Sequence, residues 1–273
     1  MSQTIKRSFF FICILFSATA LSACGNAREQ KDYGVFLTET DVDKSMRDYD
    51  LMVIDAQYFS REDISYIKAD GTTVYSYINI GSLEPFRAYF EDFKDGTLGK
   101  YEHWDEYWED VSDPEWQRFI TGQLAPSLLA KGIDGFFVDN CDVYYEYSDE
   151  AVLEGLATIM KGLVATGKDV IINGGDCFLD AYCEKYGSWS DVITGINQES
   201  VFSAVDWESG RFKAAGEEDR EYFTDYIERY ASYGADIYLL EYTTDRKLIS
   251  EIDGYCREHG FKYYVSDSVE LDL

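Results

Sequence analysis

Asp139 and Glu199 are the residues whose type and setting promise chemistry. Asp139 closes the apolar run Gly135-Phe136-Phe137-Val138, and Glu199 follows Val192-Ile193-Thr194-Gly195-Ile196-Asn197-Gln198. Both runs read as buried strands, and the carboxyl ends of such strands form the reactive face of an α/β barrel. Two carboxyl groups there suit acid–base cleavage of a glycosidic bond, because one protonates the leaving oxygen while the other carries the opposite charge. A separation of about 5 Å would mean double displacement, and one nearer 8 Å would leave room for an inverting water. Each acid also has a plainer reading: Asp139 as the cap of the next helix, and Glu199 as a solvated loop acid.

Further candidates surround this pair in the sequence. Asp55, Glu241 and Asp267 stand at other strand ends, and Glu84, Asp142 and Asp176 fall in the connections that would line the same face. Arg87 could neutralise or orient such acids, and Asn140 forms an Asp-Asn turn with Asp139. Tyr77 and Asn173, also at strand ends, are placed to donate hydrogen bonds to sugar hydroxyls. The interval 81–113 is long for a connection inside a compact domain and rich in aromatic residues, Trp104 and Trp108 among them. Those rings could stack on sugar faces, or be the buried side of a short helix.

These residues need a scaffold. β-rich runs at 33–37, 51–55, 73–80, 135–139, 169–173, 192–196, 237–242 and 261–266 alternate with helical patterns. Asp113-Pro114 opens one helix that stops near Gly132; Ser148 is the expected cap of a second, ending at Gly167. Stretches 216–233 and 244–259 each precede a glycine, Gly234 and Gly260. Eight strands interleaved with helices predict a single-domain α/β fold, a (β/α)8 TIM barrel, with a doubly wound open sheet as the alternative.

The chain has 273 residues, of which 46% are hydrophobic and 16% aromatic, enough for one large core. Lys6 and Arg7 precede a short apolar stretch from Phe9 to about Leu21, the pattern of a secretory signal. Leu21-Ser22-Ala23-Cys24 resembles a bacterial lipobox. The expected organisation is therefore a signal peptide at 1–23, a lipidated tether at 24–32 anchored through Cys24, and a catalytic domain at 33–273 outside the cytoplasm. Removing the signal takes two positive charges and no acid from a net charge of −28, leaving −30. Such a surface repels nucleic acid and attracts cations. Cys141, Cys177, Cys183 and Cys256 remain as possible disulfide partners with the pairing open. His103 and His259 stand far apart and Cys-x-x-Cys is missing, so no metal is expected. Nor are there the glycine motifs of esterases, phosphate loops or dinucleotide sites, and no cofactor is expected.

Ordered motifs then point to a family. Tyr77-x-x-x-Gly81-x-x-Glu84-x-x-Arg87, Leu98-Gly99, Trp104-x-Glu106-x-Trp108-x-Asp110, Gly132-x-Asp134-Gly135 leading to Asp139-Asn140-x-Asp142, and Asn197-Gln198-Glu199 together resemble glycoside hydrolase family 114. The similarity runs from about Tyr33 to Ser266. It implies an endo-acting α-1,4-polygalactosaminidase on a barrel, with acids at the ends of the fourth and sixth strands, where Asp139 and Glu199 stand. Residue chemistry then assigns Asp139 as nucleophile and Glu199 as acid/base. An amino-sugar polysaccharide suits the acidic candidates, since its ammonium groups would be drawn to carboxylates. Ala88-Tyr89 replaces the Pro-Asp common after the arginine, and Glu109 stands where leucine is usual. The rival readings are a carbohydrate-binding lipoprotein on the same barrel and an acidic surface protein that engages only other proteins.

Overall fold

The computed structural model describes residues 31–101 and 104–273. The expected signal, Cys24 and all but the last two residues of the tether lie outside the described residues, as does His103. Eight parallel strands follow one another around a barrel: β1 (Lys31–Phe36), β2 (Tyr49–Ile54), β3 (Thr73–Asn79), β4 (Gly135–Asp139), β5 (Asp169–Asn173), β6 (Gly195–Glu199), β7 (Asp236–Tyr242) and β8 (Lys262–Ser266). β1 and β8 end the hydrogen-bonded order. Their seam is closed by the N–H of Leu37 donating to the carbonyl of Leu271 at 3.0 Å, and by the ring of Phe36 edge-on to Tyr264 at 5.2 Å. This is the (β/α)8 barrel expected from the alternation.

Strand geometry sorts the core into two clusters, because successive side chains point to opposite faces. Tyr33, Val35, Leu51, Val53, Tyr75, Tyr77, Phe137, Ile171, Tyr238, Leu240 and Tyr242 fill the barrel interior, whereas Phe136, Val138, Val170, Ile172, Ile196 and Leu239 pack under the helices. Asp139, Asn173, Glu199 and Tyr242 share the inward parity at the carboxyl ends of their strands. Glu241 has the outward parity.

The helices start and stop where local chemistry directs. Asp113 accepts the N–H of Glu115 and caps the segment 114–131, in which α-helical Pro114–Phe119 and Ala125–Lys131 are joined by a π-helical stretch, Ile120–Leu124. From this segment the buried Trp116 donates its indole N–H to the carbonyl of Ile80 at 2.8 Å, tying it to the end of β3. The 15-residue helix Glu150–Val164 is capped by Asp149 rather than Ser148, and Arg246–His259 ends in a left-handed Gly260.

Two additions break the barrel rhythm on its carboxyl-end side. The interval after β3 contains a three-stranded antiparallel sheet (Ser82–Leu83, Gly99–Tyr101, Glu106–Trp108), so Trp104 and Trp108 belong to a hairpin and not to a short helix. After β6 comes a second hairpin, Ser203–Asp206 with Arg211–Ala214. Among the described residues Cys141, Cys177, Cys183 and Cys256 are free thiols. No helix among the described residues is long and apolar enough to cross a membrane.

Candidate active site

The strand ends and the two additions enclose a cavity of about 800 Å³. Its floor carries the candidate acids. Asp139 ends β4 and Glu199 ends β6, and between them Asn173 ends β5. The Asn173 amide nitrogen donates to Asp139 Oδ1 at 2.9 Å and to Glu199 Oε1 at 2.7 Å. Laid end to end, those two bonds cap the distance between the acceptor oxygens at 5.6 Å. Both residues are half-buried and line the cavity.

The backbone turns sharply after each acid. Asn140 and Ser200, the next residues, adopt left-handed conformations with φ of 64° and 57°, a region few non-glycine residues enter. Gly81 admits the chain to this corner: a Cβ there would lie 1.7 Å from the carbonyl oxygen of Asn140, so any side chain would push β3's loop off Asp139.

Hydrogen bonds divide the pair electrostatically. Asp139 accepts from Asn173, from the Tyr77 hydroxyl at 3.0 Å and, more weakly, from the Asn140 amide at 3.4 Å. Glu199 accepts from Asn173 and from the Tyr242 hydroxyl at 2.7 Å. Burial pushes both carboxyls above the ordinary range, and Glu199 is pushed further by the charge of Asp139.

Most of the other expected site residues line the same cavity. Asp55, Glu84 and Arg87 form a buried triad at one end, in which the guanidinium binds both oxygens of Glu84 and one of Asp55. Tyr77 joins the triad to the floor, lying beneath the Arg87 guanidinium and donating to Asp139. At the other end Asp142 and Asp176 line the wall; burial, then the charges of Asp139 and Asp176, push Asp142 up to about 7. Asn140 also lines the cavity and donates to the Ser82 hydroxyl at 3.0 Å. Trp104 stands at the rim, 40% exposed, edge-on to Trp207 at 5.5 Å.

Three expected residues, Trp108, Glu241 and Asp267, lie outside the lining. Trp108 is buried and stacks on Tyr101 at 4.1 Å, so it supports a wall residue without meeting the cavity. Glu241, by its outward parity, turns to the backbone: it accepts the N–H groups of Val201, Phe202 and Ser203 at 3.0, 3.0 and 2.8 Å, and the Ser203 hydroxyl. It anchors the loop that follows Glu199. The neighbour with inward parity, Tyr242, takes the place in the site that the sequence reading gave to Glu241.

Several cavity residues escaped the sequence analysis, Glu106, Trp207 and Tyr242 among them. Glu106 lies in the Trp-x-Glu-x-Trp motif, accepts from the Ser82 hydroxyl, and is pushed up by burial. Trp207 carried no signal beyond its type, and Tyr242 could have been found by counting alternate residues along β7.

A (β/α)8 barrel with two acids bridged at its carboxyl-end mouth defines the class of barrel glycoside hydrolases. The chain belongs to glycoside-hydrolase family GH114, whose family model it matches over residues 17–271. No curated protein sequence matches it. Among solved structures it is similar to the glycoside hydrolase domain of PelA from Pseudomonas aeruginosa, with a TM-score of 0.73 and 20% identity over 89% of this chain and 96% of that one. It is also similar to Ega3 from Aspergillus fumigatus, solved in complex with galactosamine, with a TM-score of 0.69 and 15% identity over 90% and 94%. At these identities the likeness is one of fold.

Proposed function

We propose that this glycoside hydrolase cleaves α-1,4-linked galactosamine-containing polysaccharide by double displacement, with Asp139 as nucleophile and Glu199 as acid/base. One observation supports the mechanism: the Asn173 amide bridges the two acids and holds one oxygen of each within 5.6 Å of the other, close to the spacing of about 5–5.5 Å found in retaining pairs. Asp139 attacks the anomeric carbon as Glu199 passes its proton to the departing oxygen. Glu199 then takes a proton from water, which displaces Asp139 with net retention.

Charge supports the amino sugar. Among the described residues the lining holds nine acids, from Asp55 to Glu270, against one cation, Arg87, whose guanidinium is already engaged by Asp55 and Glu84. A low-dielectric cavity of that sign favours an ammonium-bearing sugar over a neutral or anionic one. Ega3 in complex with galactosamine is a relative in fold with such a ligand.

The enzyme would work outside the cytoplasmic membrane, held by lipid on Cys24 after removal of residues 1–23, with the tether at 24–32 leading into the domain at 33–273. Mass spectrometry of the membrane fraction tests for acylated Cys24, and Cys24→Ala should release the protein. The central experiment incubates the soluble domain with partially deacetylated galactosaminogalactan and analyses products by mass spectrometry and proton NMR. Cleavage within galactosamine runs, releasing the α-anomer first and lost in Asp139→Asn, supports the proposal. Cleavage confined to neutral galactans would refute the substrate, and initial release of the β-anomer would refute the mechanism.

A further inference from the structure

The amide that bridges the acids is the last link of a hydrogen-bond chain leading into the barrel. Asn173 Oδ1 accepts from the Asn197 amide nitrogen at 2.7 Å, and Asn197 Oδ1 accepts from the Tyr33 hydroxyl at 2.9 Å. Asn197 is completely buried and Tyr33 is 2% exposed, its ring against Tyr238 at 5.0 Å. Neither lines the cavity.

The direction of the chain follows from the chemistry of its ends. An ionised Asp139 only accepts, so Asn173 must turn its NH2 group toward it, and the same nitrogen reaches Glu199. Its oxygen then faces Asn197, which must offer nitrogen in return. The oxygen of Asn197 faces Tyr33, whose hydroxyl must donate. With Asn173 reversed, a carbonyl oxygen would face two carboxyl groups, and the shared donor that holds them at one spacing would be gone.

We propose that Asn197 and Tyr33 are positioning residues that lock the orientation of the Asn173 amide, and through it the spacing of the acid pair. The inference rests on the proposed assignment of that pair. β5 and β6 are adjacent and parallel, with Asn173 opposite Asn197 in register, so the sheet itself sets the amide-to-amide contact. Tyr33 reaches it from β1, and the relay thus spans the barrel bore.

The test compares wild type, Asn197→Leu and Tyr33→Phe. Carbon-13 NMR follows titration of the Asp139 and Glu199 carboxyls without substrate, and kcat and KM are measured against pH. Tyr33, Tyr77, Tyr101, Glu106, Asp142 and Tyr242 face the pair and stay unchanged in Asn197→Leu. With Asn173 free to turn, donors to the carboxylates are lost and both titrations move to higher pH, by about one pH unit. The acid limb of the rate profile moves with them, and kcat falls by about tenfold or more with little change in KM. Tyr33→Phe keeps the packing and moves the same quantities in the same direction by less. Unchanged carboxyl titrations in a folded Asn197→Leu would overturn the proposal, as would a fall in activity with an unmoved pH profile. If Asn197→Leu does not fold, an unmoved titration in Tyr33→Phe overturns it. Because the titrations need no substrate, they distinguish failure of the relay from failure of the galactosamine assignment.

Discussion

The floor and the rim of the cavity are built on opposite principles. On the floor, Asp139, Asn173 and Glu199 stand on adjacent strands, and each is held by two or more hydrogen bonds from neighbouring elements. The rim comes from two insertions, the antiparallel sheet after β3 and the hairpin after β6, which meet through Trp104 and Trp207, 40% and 52% exposed. Groups that must be held to a fraction of an ångström sit on the barrel's hydrogen-bonded framework, and large exposed rings sit on elements with few restraints. Glu241 joins the two regions, since the loop it anchors runs from Glu199 on the floor to Ser203 at the start of the rim hairpin.

The largest effects are expected on the floor. Asp139→Asn or Glu199→Gln should lower kcat by about 10³-fold or more with the fold intact, by circular dichroism, because each removes a group that reacts. A comparable loss from a rim substitution would mean that the division is wrong.

Glu109, at the base of the rim sheet, allows a pH test. It is 1% exposed, its Oε2 atom has no hydrogen-bond partner among the described residues, and burial, then Asp110 and Asp113, push it up to about 8 from an ordinary 4.5. A raised folded-state pKa means that the folded protein holds the proton more tightly. The stability this gives is present in full below about pH 4.5 and lost as pH rises through about 8. Glu109→Leu should therefore remove most of a decline on the order of 3 kcal/mol across that window, measured by urea unfolding at several pH values. Equal decline in both proteins would show that Glu109 is not its source.

The rim rings predict a smaller effect on activity. Trp104→Ala and Trp207→Ala should each lower kcat/KM on long polymer by about tenfold, by loss of stacking area. Because the two rings touch, the double variant should lose less than the product of the single losses. Full multiplicativity would mean that they act separately. The smallest effect belongs to the turn after Glu199, where Ser200→Gly should relieve a left-handed serine and raise stability by up to about 1 kcal/mol in thermal unfolding.

How far the site was legible depended on sequence distance. β4 and β5 were readable to the residue, 135–139 and 169–173, because short apolar runs bounded by turn residues leave little choice. β6 was read at 192–196 but runs Gly195–Glu199, because Val192 and Ile193 are buried in a turn on Trp189, and burial alone does not separate turn from strand. The parity that excludes Glu241 and admits Tyr242 was available in the sequence, given a count outward from buried Tyr238 and Leu240. The contrast between Trp104 and Trp108 was not, since it depends on a hairpin whose partner strand is Ser82–Leu83.

The alternation of eight strands with helices, the two candidate acids and the family were legible in the chain, because they are local patterns of hydrophobicity, capping and motif spacing. Only the tertiary structure decided that Asn173 stands between those acids, that Asn197 and Tyr33 orient it, and that two hairpins bring Trp104 to Trp207. Those contacts join positions as far apart as Tyr33 and Asn197. Their distances are set by strand register and barrel closure, which no stretch of the chain contains alone.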